Sequence, residues 1–162
     1  MRAVLALAVI GLLCGAVTAQ DNPKVIEAIR KVEASFSNIT HLTTAPGLGA
    51  LFTPDGVWCS LMGSPCNVGA ANITAYVNGF KGMLKMTDAY ASFTNLNSNG
   101  NYGSFDYVKT FSCGSPCGAR TCLVRGKSGI RVAPDTSTVV ELDDYVAMSD
   151  FVRMCLQRCQ QC

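Results

Sequence analysis

Hydrophobic residues recur at helical spacing over the first half of this chain. A helix is predicted to begin at Pro23, with Asp21 or Asn22 as its cap. Its apolar stripe consists of Val25, Ile29, Val32 and Phe36. A later helix is predicted from about Val68, and Gly79 and Gly82 in it favour close packing at some cost in helix propensity. Its apolar face consists of Ile73, Tyr76, Val77, Phe80, Met83 and Leu84.

From Thr87 the pattern changes to alternating apolar and polar positions, which is typical of β-strands. Turn-forming segments rich in Asn, Gly, Ser and Pro separate the strands. The predicted strands are Ala89–Leu96, Tyr102–Phe111, Ala119–Arg125, Gly129–Val132 and Val139–Met148. Short connections favour antiparallel neighbours, so helices followed by a meander predict an α+β domain. We expect about three N-terminal helices to pack on one face of a curved antiparallel sheet.

The last predicted strand carries a carboxylate among hydrophobic residues. With a side-chain period of two, Asp144 shares a face with other members of the strand. These are Val140, Leu142, Val146 and Met148. Burial disfavours a charged carboxylate, which is one way in which proteins prepare general acids and bases near neutral pH. Asp144 is therefore the candidate catalytic acid, and a hydrogen-bonded structural carboxylate is the alternative.

The first 19 residues have the composition of a secretory signal peptide. Arg2 supplies a positive charge, residues 3–13 form an apolar run, and Val17 to Ala19 form a small-residue cleavage site. The predicted organisation is a signal peptide (1–19), one α+β domain (20–151) and a cysteine-rich C-terminal tail (152–162). We expect a secreted, extracellular protein, since no later stretch is long and apolar enough to span a membrane.

The chain has nine cysteines, and removal of Cys14 with the signal peptide leaves eight. An even number in an exported chain predicts disulfides, with a connectivity that the sequence leaves open. Cys59 and Cys66 flank a turn-like segment and can bond to each other. The other predicted disulfide cysteines are Cys113, Cys117, Cys122, Cys155, Cys159 and Cys162. The last three fall on one stripe of a helix. A zinc site is the alternative there, but no histidine lies near, so no metal is predicted.

The formal net charge is +2, with lysines and arginines scattered along the chain. This distribution argues against nucleic acid and against an anionic membrane surface as the main partner. Asn38 and Asn72 each begin an N-glycosylation sequon, as in exposed segments of secreted proteins. The sequence has no nucleophile-elbow, phosphate-loop or zinc-protease motif, which argues against hydrolase triads and nucleotide enzymes.

Two short segments carry a family resemblance. The first runs from Leu51 to Trp58 (Leu-Phe-Thr-Pro-Asp-Gly-Val-Trp) after helical sequence, and its Pro-Asp-Gly part also reads as a turn. The second is Val140 to Tyr145 (Val-Glu-Leu-Asp-Asp-Tyr) in the last strand. Together with the order of elements over residues 22–151, they resemble the SnoaL-like branch of the nuclear-transport-factor-2-like superfamily.

The resemblance implies a cone-shaped α+β fold in which a curved sheet encloses an apolar pocket. Its enzymes include polyketide cyclases, ketosteroid-isomerase-like and epoxide-hydrolase-like proteins. In them a pocket carboxylate moves a proton without a metal and often without an organic cofactor, so no cofactor is expected. Asp144 matches the position of the acid, and Trp58 matches a pocket wall. The expected ligand-binding residues are Trp58, Tyr76, Phe80, Leu142 and Val146. The family's second acid after the tyrosine is replaced here by Ala147, which weakens the prediction of a two-acid site.

A proton-transfer enzyme needs a second polar group near Asp144. Asp106 and Tyr107 are the candidates, and only one of them can face the pocket because they are neighbours on a strand. Three functions remain open from the sequence. The first is an enzyme that isomerises, cyclises or hydrates a small apolar, polyketide-like or steroid-like molecule without a cofactor. The second is a secreted carrier, and the third is an interaction module that forms a homodimer through the outer face of the sheet.

Overall fold

The computed structural model describes residues 21–43, 47–115 and 118–160. The predicted signal peptide and the predicted disulfide cysteines Cys117 and Cys162 lie outside these residues. Three helices precede the long strands, as the sequence predicts: α1 (Pro23–Phe36), α2 (Ile39–Thr43) and α3 (Ala70–Leu84), with a 3-10 turn at Leu48–Leu51. None of the described helices combines the length and the apolar character needed to cross a membrane.

Within the described residues, six strands form one mixed sheet. They are β1 (Phe52–Cys59), β2 (Asn67–Val68), β3 (Met86–Asn99), β4 (Tyr102–Ser115), β5 (Gly118–Val132) and β6 (Val139–Tyr145). The order across the sheet is β2-β1-β6-β5-β4-β3. The α+β class is confirmed, but the sheet is not purely antiparallel, because β1 and β6 run parallel. In this strand order, β6 lies inside the sheet, between β1 and β5.

Helix α1 forms as its sequence predicts. The Asn22 side chain caps it by accepting a hydrogen bond from the Lys24 backbone N–H at 2.9 Å, and Pro23 occupies the first turn. The predicted stripe is buried, with Val25 and Ile29 fully inaccessible to solvent. This stripe packs against β3, β4 and β5, so α1 covers one face of the sheet and fixes one side of the protein's core.

Several predicted boundaries differ from the structure. The two strands predicted at 119–125 and 129–132 are one continuous strand, β5, because Gly126 and Gly129 pair with β4 without interrupting the ladder. The Pro-Asp-Gly segment does not end a strand; it is an irregularity within β1, where the register against β6 shifts between Phe52 and Val57. Asp55 in this segment is exposed.

The faces of β6 also differ from strict alternation. Val139 is fully buried and Val140 is only partly buried, because the register against β5 shifts between Glu141 and Val139. One extra residue in β6 turns its upstream side chains to the opposite face. Strand β6 ends at Tyr145, so the predicted strand residue Met148 instead begins a helix.

A C-terminal helical segment, residues 148–160, is fastened to the sheet. It consists of α4 (Met148–Phe151), a π-helical turn (Val152–Leu156) and α5 (Gln157–Gln160). Cys155 is bonded to Cys122 of β5, and Cys159 is bonded to Cys113 of β4. A third disulfide joins Cys59 and Cys66 around their turn, the local pairing that the sequence favoured.

Candidate functional site

A cavity lies between α1, α3, the inner face of the sheet and the C-terminal segment. Its wall is mostly apolar and aromatic. The lining residues central to the site are Phe36, Trp58, Tyr76, Phe80, Tyr107, Lys109, Phe111, Asp144, Val146 and Phe151. The volume open to the centres of water molecules is about 50 Å³, and one water needs roughly 10–15 Å³ on this measure. The cavity therefore suits a few waters or a small organic molecule.

Asp144 and Lys109 form an ion pair in this wall. The Lys109 Nζ lies 2.6 Å from the Asp144 Oδ2, and the two side chains are only 6% and 5% exposed. The second carboxylate oxygen, Oδ1, accepts a hydrogen bond from the Ser128 hydroxyl, which is also buried. Asp144 is thus held from two sides, by a cation from β4 and by a neutral donor from β5.

The ammonium group of Lys109 is enclosed by aromatic rings. Its Nζ lies 4.1 Å from the centre of the Phe36 ring and 4.2 Å from that of Tyr107, distances at which ring faces attract a cation. Burial lowers the pKa of the Lys109 side chain below its ordinary value, and the charge and hydrogen bond of Asp144 oppose part of that effect. The proton on this amine is therefore held less firmly than on an exposed lysine.

The cavity wall also contains neutral donors. Burial, and then the negative charge of Asp144, raise the pKa of the Tyr107 phenol, so it keeps its proton. The Trp58 indole N–H is buried and has no hydrogen-bond partner among the described residues. The Tyr76 hydroxyl is bound by the Ser60 hydroxyl at 2.9 Å. Charge-bearing and neutral polar groups are thus set into one otherwise apolar wall.

Solved structures share this architecture. A protein from Catenulispora acidiphila with a ketosteroid-isomerase-like fold, solved in complex with trimethylamine, aligns with a TM-score of 0.64 at 15% identity, covering 80% of this chain and 92% of its own. An LEH-like epoxide hydrolase from M. tuberculosis aligns with a TM-score of 0.63 at 12% identity, covering 84% of this chain and 92% of its own. A protein from Shewanella denitrificans described as a SnoaL-like polyketide cyclase aligns with a TM-score of 0.66 at 11% identity, covering 82% of this chain and 97% of its own.

The chain has the nuclear-transport-factor-2-like fold. The resemblance seen in the sequence is thereby confirmed at the level of fold, and at these identities the similarity concerns the fold alone. No protein-family model matches the chain, and no curated protein matches it by sequence. What the pocket does must therefore be argued from its own residues.

The nuclear-transport-factor-2-like fold brings most of the predicted site residues together. Asp144, Tyr107, Trp58, Tyr76, Phe80 and Val146 all line the cavity. Leu142 does not: it is fully buried but is not among the lining residues, so its predicted ligand contact is corrected to a core position. It pairs with Trp58 on one side and Ile130 on the other.

Asp106 lies outside the cavity, which corrects its predicted catalytic position. Its carboxylate accepts a hydrogen bond from Asn95 at 2.6 Å and pairs with the exposed Lys127 at 2.9 Å. These contacts, the Asn95 hydrogen bond first, lower the pKa of Asp106. The reason is parity: the inward face of β4 carries Phe105, Tyr107, Phe111 and Cys113, so the residue between Phe105 and Tyr107 points outward.

Lys109 is the charged site residue that the sequence prediction missed. It stands between Tyr107 and Phe111 on the alternating face of β4 that carries those aromatic residues, so its parity already places it inward. A lysine is almost never fully buried without a partner, which makes its position there a signal of a buried acid opposite it. The partner, Asp144, is the carboxylate that the same alternation singles out on β6.

Among the described residues, no three histidine, cysteine or acidic side chains are gathered as metal ligands. The sequon residues Asn38 and Asn72 are exposed. The Asn38 Oδ1 caps α2 by accepting from the Thr40 backbone N–H at 2.9 Å, and the Asn72 amide donates to the Val68 carbonyl at 2.7 Å. Glycosylation at these two positions stays a prediction, as does dimerisation through the sheet.

Proposed function

We propose that the protein binds a small, mostly apolar molecule in this cavity and transfers protons to and from it through the Lys109–Asp144 pair. One observation carries the proposal: two opposite charges, each about 95% buried, face a cavity whose other walls are mainly apolar. Perturbed, paired ionisable groups in a cavity are characteristic of functional sites.

A purely structural role explains this pair poorly. Removing two charges from water costs several kcal/mol per ion, and well-packed hydrophobic residues often stabilise a core as well or better. The surrounding core is already hydrophobic, with Phe36, Phe111 and Val146 next to the pair. A fold of this kind can therefore form without these charges, which supports a chemical use for them.

We assign complementary roles to the two members on the basis of their contacts. Asp144 accepts a proton as a general base, and Ser128 fixes its orientation through Oδ1. Lys109 donates a proton to an oxygen that becomes negative, and the Tyr107 and Trp58 donors stabilise that charge. After a turnover, the proton can pass between Asp144 and Lys109 over their 2.6 Å contact, so no external acid is needed.

The size of the cavity limits the ligand. About 50 Å³ is well below the several hundred Å³ typical of pockets for drug-sized molecules. A molecule of a few heavy atoms with one oxygen suits the space, whereas a polyketide-sized or steroid-sized molecule requires the wall to move. Structural neighbours named as epoxide hydrolase-like make a small epoxide a suitable first test substrate.

A carrier that holds a ligand without turnover is the second candidate. It is favoured by the fact that both carboxylate oxygens of Asp144 already have partners within the protein. In that case the Lys109–Asp144 pair anchors the polar end of the ligand and its charges remain unchanged. Export from the cell belongs to either proposal, and the three disulfides among the described residues support it because such bonds persist in oxidising compartments.

Hydration of cyclopentene oxide to its diol tests the proposal. Asp144 would take a proton from the attacking water while Lys109 protonates the opening oxygen, so diol formation should exceed the rate in buffer. The variant Asp144→Asn should lose this excess, and Asp106→Asn should keep it because that carboxylate faces away from the cavity. The folding of each variant is checked by the fluorescence of Trp58, the single tryptophan of the chain.

A second variant guards against loss of activity through unfolding. Lys109→Met combined with Asp144→Asn removes both charges and is expected to fold, yet it should have no diol-forming activity. Binding without turnover in the wild type, seen as shifts in the Trp58 indole N–H resonance, would support the carrier. Retained turnover in a folded Asp144→Asn variant would refute the role of Asp144.

A further inference from the structure

The Lys109 amine has the environment of a nucleophile. It lines the cavity, its side chain is 6% exposed, and a carboxylate that can take its proton lies 2.6 Å away. An amine attacks carbon only through its unprotonated form, and burial in apolar surroundings increases the population of that form. An exposed lysine such as Lys127, whose side chain is 77% exposed, has no such environment.

We propose that Lys109 forms a reversible imine with a small apolar aldehyde, with Asp144 as the counter-ion of the resulting cation. This activity rests on the proposed function in one respect, since both require a small molecule to enter the cavity. It differs in chemistry, because it makes the lysine a covalent ligand-binding residue and does not need the turnover of an epoxide.

The step is balanced within the site. Asp144 takes one proton from the Lys109 ammonium, and the free amine adds to the aldehyde carbon while one of its N–H protons passes to the former carbonyl oxygen, giving a neutral carbinolamine. Asp144 then returns its proton to the carbinolamine hydroxyl, which leaves as water while the C–N double bond forms. The ammonium and the aldehyde become a protonated imine and one water, so charge is conserved and no oxidant or reductant is required.

The product cation fits the surroundings of the starting ammonium. A protonated imine keeps one positive charge on the same nitrogen, so the Asp144 carboxylate and the ring faces of Phe36 and Tyr107 continue to stabilise it. Ser128 holds the counter-ion in place from its other oxygen. The aldehyde substituent then occupies the apolar part of the cavity, beside Phe80 and Phe151, which selects short aliphatic aldehydes over charged ones.

Reductive trapping tests this assignment on the intact, oxidised protein. The protein is treated with limiting butanal and cyanoborohydride at neutral pH, and the butylated lysine is located by peptide mass spectrometry. Lys109 should be labelled ahead of Lys127 and the other exposed lysines, since the unprotonated fraction grows about tenfold for each unit by which a pKa falls. Lys109→Arg keeps a cation beside Asp144 but cannot form the imine, so its peptide should stay unlabelled. Lys127→Arg is the matched control and should leave the labelling of Lys109 unchanged.

Binding of butan-1-ol separates this inference from the proposed function. The alcohol matches butanal in size but cannot form an imine, and its binding is followed by the Trp58 indole N–H resonance. Preferential butylation of Lys109 supports the inference. Butylation spread over exposed lysines with Lys109 unmodified overturns it, and if butan-1-ol still binds in that case, the proposed small-molecule pocket stands without covalent capture.

Discussion

Breaking the Lys109–Asp144 pair should produce two opposite dependences of stability on pH. In Asp144→Asn the buried lysine loses its counter-ion and becomes neutral in the folded state. The ordinary pKa of a lysine, 10.5, lies about 3.5 units above pH 7, and deprotonation costs about 1.36 kcal/mol for each of these units. The loss in free energy of unfolding is therefore at most about 5 kcal/mol, within the 3–5 kcal/mol seen when a buried pair is broken.

In Lys109→Met the remaining carboxyl is neutral in the folded state. Protonating an ordinary aspartate at pH 7 costs about 4 kcal/mol, from a model value near 3.9. The double variant Lys109→Met/Asp144→Asn contains no buried charge and retains the Ser128 hydrogen bond to the amide oxygen. Its expected loss is about 1–3 kcal/mol, the cost of one unpaired amide donor, far below the sum of the two single losses.

The free energy of unfolding should change with pH in opposite directions in the two single variants. In Asp144→Asn the unfolded state binds one more proton than the folded state, so its free energy of unfolding rises with pH by about 1.4 kcal/mol per unit relative to wild type. In Lys109→Met the folded state binds the extra proton, so its free energy of unfolding falls with pH by a similar amount. The slope of Asp144→Asn is expected below the ordinary lysine pKa of 10.5, and that of Lys109→Met is expected above the ordinary aspartate pKa of about 3.9.

Urea unfolding followed by Trp58 fluorescence measures these quantities, since this residue is buried in the cavity wall. The protein's total stability is expected to be about 5–15 kcal/mol, so each single variant is measured at the pH that favours it. Two results would contradict a buried pair that excludes water: pH slopes of the same sign in the two single variants, or a loss in the double variant equal to the sum of the two single losses. Either result would indicate that water reaches these groups.

Three further variants test other parts of the molecule. Cys122→Ala/Cys155→Ala should lower the free energy of unfolding by about 2–4 kcal/mol and speed amide exchange in residues 148–160, which that bond holds on β5. Gly79→Ala should raise it by about 1 kcal/mol, because the added methyl meets nothing within 4 Å in the middle of α3. The Glu27 carboxyl should titrate by NMR with a pKa of about 2, lowered mainly by its hydrogen bond with Lys31. Lys31→Met should therefore raise the pKa of Glu27. The stabilisation that the Glu27 carboxylate gives is present above its ordinary pKa and is lost as the pH falls towards 2.

Matched controls accompany two of these tests. Gly103→Ala should destabilise, since its methyl would lie 2.4 Å from the Val25 Cγ1 and 2.9 Å from the Asn97 carbonyl oxygen. Removing the Cys59–Cys66 bond should leave amide exchange in residues 148–160 unchanged, because that bond closes only its own turn. Equal effects of the two glycine substitutions, or unaltered exchange without the Cys122–Cys155 bond, would contradict the packing described above.

The sequence predicted those parts of the fold in which local pattern and tertiary packing agree. Helix α1 has a cap, a proline in its first turn and a single apolar stripe, and it forms as predicted. Gly79 and Gly82 were expected to permit close packing, but neither lies near another element. The local pattern therefore predicted helix α3 but not what surrounds each of its faces.

Errors in the strands arose where pairing overrides local signals. Glycines that usually mark turns continue the β5 ladder at Gly126 and Gly129, because β4 pairs with both of them and β6 also pairs with Gly129. Register shifts in β1 and β6 change which side chains face inward, and no single-strand pattern encodes a shift relative to a partner. The parallel β1–β6 pair was missed because it depends on residues more than 80 positions apart.

The sequence predicted one member of the ion pair in the site, Asp144, but did not predict its contact with Lys109. Alternation along β6 singled out Asp144 because a carboxylate among hydrophobic residues is conspicuous. The same rule applied to β4 places Lys109 on the face of Tyr107 and Phe111. The two charges meet, however, only because β5 lies between the strands that carry them. Parity is a property of one strand, whereas the contact between the pair is a property of the sheet.

The position of β6 has a consequence for how the protein is made. Of the six described strands, β6 is the last to leave the ribosome but lies between β1 and β5, so until it emerges the nascent sheet consists of two unconnected pieces. Pairings between residues so distant in the chain form slowly, and the exposed edges of β1 and β5 must be protected in the meantime. Because Asp144 lies on this same strand, an incomplete chain has neither a continuous sheet nor a counter-charge for Lys109, and the protein acquires its shape and its chemistry in one event.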